Sequence, residues 1–157
     1  MAIMDAKLEI DDGVTLTAIS GATQAGTNEI RLDAATALMS DAWGTAISPD
    51  PGEGNNGLVL NFQVGTAFSA SNSIIAKVYH HTTSTVTGGT LLGSVTFNSG
   101  NTAGTASAGV SGAKKGFRLP AGNIDRYLGV LYSAISGASG AGTINCWLGL
   151  DTETPTK

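Results

Sequence analysis

The stretch Leu58-Val59-Leu60-Asn61-Phe62-Gln63-Val64 alternates apolar and polar side chains with a period of two. Leu58, Leu60, Phe62 and Val64 fall on one face of an extended chain, and Asn61 and Gln63 on the other. Successive side chains of a strand point to opposite faces, so the pattern predicts a half-buried antiparallel strand. The same period recurs outward in both directions. Ile30 and Leu32 alternate with Glu29, Arg31 and Asp33, and the run Thr143–Leu150 puts Ile144, Cys146, Leu148 and Leu150 on one side. Further strand-like runs are Leu8–Ile10, Val14–Ile19, Ile74–His81, Leu91–Phe97, Gly116–Leu119 and Arg126–Tyr132. Each is bounded by Gly, Asn, Asp, Ser or Pro, the residues that end strands.

So many short strands predict an all-β protein, an antiparallel β-sandwich of the jelly-roll kind. A fibronectin-like or immunoglobulin-like sandwich is the alternative, although the Cys…Trp…Cys spacing of a true immunoglobulin domain is absent. Asp11-Asp12-Gly13 reads as the hairpin turn between two strands, because Asp-Gly supplies the positive φ such a turn requires. One short helix is expected over Asp33–Ser40, with Asp33 as its N-cap. Two long loops follow from the pattern, one at about 40–57 and one over Asn98–Gly112. No repeat or linker divides the chain, so a single domain spanning 1–157 is expected, preceded by a short N-terminal arm of about residues 1–6.

Composition narrows the function. Of 157 residues 22 are glycine, about twice the usual ~7%, and 13% are charged, about half the usual ~25%. Eight Lys and Arg against twelve Asp and Glu leave a net charge of −4. That sign and magnitude oppose electrostatic binding to nucleic acid. An apolar content of 41% is too high for a disordered tail. There is no heptad repeat and no apolar run long enough for a helical membrane span. Met1–Lys7 lacks the basic-then-apolar pattern of a secretory signal, which suggests a chain made and used in a cytoplasm or released by lysis.

Reactive groups are few. His80 and His81 are neighbours on one strand, point to opposite faces, and read as a solvated strand end that cannot chelate one metal. Cys146 shares the apolar face of its strand and reads as a buried, inert thiol. Asp50–Gly57 carries hard oxygen ligands but not the spacing of an EF-hand. No serine sits in a nucleophile elbow, and the glycines at 137, 140 and 142 precede no phosphate-binding helix. No catalytic residue, cofactor or metal is expected, so an enzyme is the least supported class. Trp43, Trp147, Tyr79, Tyr127 and Tyr132 are the aromatic candidates for a sugar platform, which keeps a carbohydrate-binding jelly-roll module on a virion or tail as the alternative function.

Three regions resemble a known family. Ala6–Thr17 has an acidic segment between two strand-like runs, Asn28-Glu29-Ile30-Arg31-Leu32-Asp33 is a short strand ending in Asp, and Arg118-Leu119-Pro120-Ala121-Gly122-Asn123-Ile124-Asp125-Arg126-Tyr127-Leu128-Gly129-Val130-Leu131-Tyr132 leads into Gly142–Asp151. This layout is similar to that of tailed-phage capsid cement (decoration) proteins, of the jelly-roll kind carried by a Bordetella phage. The resemblance covers both ends and about half of the chain. It implies a virion protein on the outer surface of an assembled icosahedral capsid, bracing contacts between capsomers without catalysis or cofactor. The implied partners are the major capsid protein and a second copy of the chain, a homodimer in preference to a homotrimer, with neither nucleic acid nor membrane. The long loop is the expected contact, with Trp43 and Ile47 as apolar anchors and Asp50 and Glu53 meeting basic capsid residues.

Overall fold

The alternation in Leu58–Val64 becomes an inner strand of a four-stranded sheet. The computed structural model describes residues 9–16, 23–31, 39–40, 46–47, 58–68, 73–83, 87–97, 111–120, 124–134 and 142–150. In chain order the strands are β1 (Glu9–Thr15), β2 (Thr23–Ala25), β3 (Ile30–Arg31), β4 (Met39–Ser40), β5 (Ala46–Ile47), β6 (Leu58–Val64), β7 (Ile74–His81), β8 (Thr90–Phe97), β9 (Lys114–Arg118), β10 (Tyr127–Ala134) and β11 (Thr143–Leu150). One sheet runs β1-β11-β6-β9; the other runs β2-β10-β7-β8, with β3 also paired to β10. Every pairing is antiparallel. The two sheets pack face to face as a β-sandwich, and the described residues contain no helix.

The pairing is nested. β1 pairs with β11, β2 and β3 with β10, β6 with β9, and β7 with β8, so the chain folds as a long hairpin rolled about the β7–β8 connection. Register places the apolar rows in line: Leu60 opposite Leu148, Phe62 opposite Cys146 and Val64 opposite Ile144 in one sheet, Val78 opposite Val130 in the other. All eight of those side chains are buried. Phe62 and Phe97 meet edge to face across the sheets, with centroids 6.0 Å apart, and Phe68 meets the same Phe97 ring at 6.4 Å. Such pairs add about 0.5–1.5 kcal/mol each beyond the area they bury.

Three expectations change. Asp11-Asp12-Gly13 is no hairpin turn: it lies inside β1, where register shifts between Glu9 and Asp11 and between Asp11 and Val14 mark bulges. Gly13 has φ +63°, and its N–H donates to the Asn145 side-chain oxygen on β11 at 2.5 Å. The positive φ read from the sequence thus bends a strand instead of reversing it. Within Asp33–Ser40, Met39 and Ser40 are not helical but form β4, because they pair with Ile47 and Ala46 in β5; residues 32–38 lie outside the described ones. That small hairpin occupies part of the long 40–57 loop, and the Asn98–Gly112 loop is described only at Ser111 and Gly112.

The bulge turns Asp11 into the interior, fully buried. Its Oδ2 accepts the Tyr132 hydroxyl from β10 at 2.5 Å, and its Oδ1 accepts the Thr27 N–H at 2.7 Å. Asn28 N–H donates to the Ile10 carbonyl at 2.9 Å and Gly26 N–H to Val130 at 2.8 Å, so residues 26–28 cross from one sheet to the other. A buried carboxylate is tolerated only when its oxygens are hydrogen-bonded. Tyr132→Phe removes the donor and leaves Oδ2 stranded, so unfolding free energy should fall by about 1–3 kcal/mol. A urea midpoint unchanged by this substitution would show that the carboxylate does not tie the sheets.

Candidate functional site

β7 delivers His80 and His81 to the end of one sheet, on opposite faces, as the alternation requires. They are not a solvated strand end. The His80 side chain is only 12% exposed and that of His81 6%, because groups far away in the chain close over them. His80 Nδ1 lies 2.9 Å from the backbone N of Asp125, which donates to it, and 3.1 Å from Asp125 Oδ2. His81 Nε2 lies 3.4 Å from Glu29 Oε1, and its ring stacks on Tyr127 at 5.7 Å and 20°. The Arg31 guanidinium sits 6.0 Å from the centroid of that same Tyr127 ring. Each histidine therefore has its own carboxylate, and no group of three metal-ligating side chains converges among the described residues.

Beside His80 a cleft of about 160 Å³ opens where β7 hands over to β8. Asp125, Thr82, Thr90 and the turn at Gly88 and Gly89 complete its walls. Gly88 has φ +97°, and a Cβ on Gly89 would stand 2.7 Å from the His80 carbonyl oxygen. Only glycines let this turn close against β7. The sequence reading missed the cleft, since Asp125 and the Gly88–Gly89 turn meet His80 only through tertiary packing. The paired glycines were the local sign of a tight turn.

The other candidates separate. Trp43, Asp50 and Glu53 lie outside the described residues; Ile47 is in β5, its backbone paired with Met39. The described aromatics do not form one platform. Tyr132 is buried in the core, which removes it from any sugar platform, while Tyr127 stacks on His81 and Tyr79 is half-buried on the outer face of its sheet. Trp147 is half-buried on the outer face of the other sheet, opposite Asn61, whose side-chain amide donates to the Val59 carbonyl at 3.2 Å. On β9, the Lys115 ammonium sits 5.7 Å from the centroid of the Phe97 ring and donates to the Thr96 carbonyl at 2.5 Å. Opposite edges of this sheet differ in charge: β1 carries Glu9 and exposed Asp12 outside the buried Asp11, and β9 carries Lys114, Lys115 and Arg118. Glu9 is pushed up from the usual carboxylate range by burial, then by Asp12 and Asp11. No protein-family model matches the chain, and no curated protein matches it.

Cys146 is fully buried beside Tyr132 and Asp11. Burial, and then the Asp11 charge, push its thiol well above the ordinary 9.0. Burial first, with Cys146 and Asp11 beside it, pushes the Tyr132 hydroxyl well above 10.0. Both acids stay protonated in the fold while the unfolded chain releases its protons near those ordinary values. Above pH 9 the unfolded state thus binds fewer protons, and stability falls as pH rises. Urea unfolding should show a midpoint that drops between about pH 8 and about pH 10.5, and less steeply in Cys146→Ala. Labelling of native protein by a thiol reagent should proceed only at the rate of unfolding; rapid labelling would contradict the inert thiol.

Proposed function

We propose that this chain is a phage capsid cement protein with a jelly-roll fold, which binds the outer surface of an assembled icosahedral shell and stabilises contacts between capsomers. One observation carries the reading. The stretches that resemble the cement family stand at the two ends of the chain, yet they fold into β1, β3, β10 and β11, which pair as β1 with β11 and β3 with β10. Asp11 and Tyr132, one from each end, close that unit. The resemblance thus falls on one spatial framework. The nested pairing about β7 and β8 supports the jelly-roll form of the sandwich.

Cement work asks for surface and repetition. A rigid sandwich presents its two faces and its loops to neighbours, and many copies across shared joints add modest contacts into a strong brace. Oppositely charged sheet edges favour association with a second copy, the homodimer being the preferred form. The 40–57 loop is the proposed capsid contact, through Trp43, Ile47, Asp50 and Glu53. Quantitative mass spectrometry of purified virions of the encoding phage should find the chain at a copy number equal to the major capsid protein or a simple fraction of it. A handful of copies would move the protein to a tail or vertex and favour the carbohydrate-binding reading; absence from virions ends the proposal. Deleting Trp43–Gly57 should leave a soluble β-rich protein that no longer sediments with capsids, and retained binding would overturn the assignment of the loop.

A further inference from the structure

We propose that the strand-end cleft at His80 and Asp125 binds a neutral polyol, a single pyranose ring of a glycan. The hydrogen-bonding inventory carries this. The His80 ring lines the cleft, its Nδ1 held between the Asp125 N–H at 2.9 Å and Asp125 Oδ2 at 3.1 Å, so an imidazole nitrogen is fixed in that wall. The Asp125 carboxylate, 40% exposed, presents acceptors from the same wall. Exposed Thr82 and Thr90 hydroxyls donate and accept. Adjacent hydroxyls of a sugar ring each donate and accept, which is the alternation that these four side chains offer. The Gly88–Gly89 turn has no side chain, so a ring can lie directly against backbone.

The same inventory rejects other ligands. An anion would face the Asp125 carboxylate, with no lysine or arginine among the described lining residues. A metal ion finds no cluster of three ligands among the described residues. An apolar ligand finds no large apolar side chain among the described lining residues. Size agrees: an open cleft of about 160 Å³ suits one ring, and the remainder of an oligosaccharide would extend into solvent. The site does not depend on capsid binding, and purified protein alone tests it.

The experiment is a titration of the ¹⁵N-labelled full chain with methyl glycosides of glucose, galactose and mannose, each to about 50 mM, read as amide shifts. At least one glycoside should give saturable, millimolar shifts confined to Thr82, Gly88, Gly89, Thr90 and Asp125. Asp125→Asn, nearly isosteric, should weaken that binding about tenfold, as loss of a hydrogen bond to a charged group predicts. Thr82→Val, which leaves the His80–Asp125 contact intact, should weaken it severalfold with an unchanged melting temperature. No shift with any glycoside, shifts centred on Trp147 instead, or equal affinity in both variants would each overturn the proposal.

Discussion

The buried carboxylate of Asp11 is the constraint on which the sandwich depends. It stands on β1 of one sheet and receives its hydrogen bonds from β10 and the 26–28 crossing of the other. Removing such a group from water is costly unless its oxygens find donors, so the fold loses stability when either Tyr132 or Thr27 fails to reach it. Register follows from that requirement. A slip of β1 by one residue exchanges Asp11 for Ile10 or Asp12 at the Tyr132 hydroxyl and turns the strand's apolar set outward. Cys146 lies next to the pair, and Asn145 beside it holds Gly13 in the bulge that aims Asp11 inward. Strand, bulge and buried pair therefore specify one another.

That mutual dependence also explains what could be read in advance. Where one face of a strand is apolar and the other wet, side-chain order alone reports the fold; β6, β7 and β11 occupy the runs their alternation marks out. Tyr132 was legible by the same rule, since it shares parity with the buried Leu128 and Val130, though its aromatic ring suggested a surface role. Asp11-Asp12-Gly13 was not. A positive φ serves a turn or a bulge equally, and the choice is made by Asn145, 132 residues away. The histidines divide the same way: their opposite faces follow from a period of two, but their burial comes from Glu29, Tyr127 and Asp125, which no local pattern brings to them.

The groups that usually carry chemistry are, among the described residues, largely committed to holding the structure. The Cys146 thiol and Tyr132 hydroxyl are kept protonated in the interior, Asp11 is filled by its two donors, and His81 is pressed between Glu29 and Tyr127. What the described residues offer outward is area: two sheet faces of mixed polarity and edges of opposite charge. The proposed cement role would draw on those features through shape and repetition.

His80 and Asp125 differ from the other polar pairs in being only half enclosed. At the end of a sheet, strands hand over to turns, the interior no longer covers side chains of inward parity, and His80 falls just past the last apolar layer of Ile74, Ala76 and Val78. Its ring is fixed on one side by the Asp125 backbone, so the remaining nitrogen is held in place without further cost in side-chain freedom. Opposite it, Gly88 takes a positive φ and Gly89 approaches β7 closely. Polar groups made rigid by the scaffold and left open to solvent at a loop are the arrangement in which sandwich folds place recognition. A shell-bound protein displaying such a cleft would repeat it at every copy, so weak affinity for one sugar ring would become strong attachment to a glycan-coated surface.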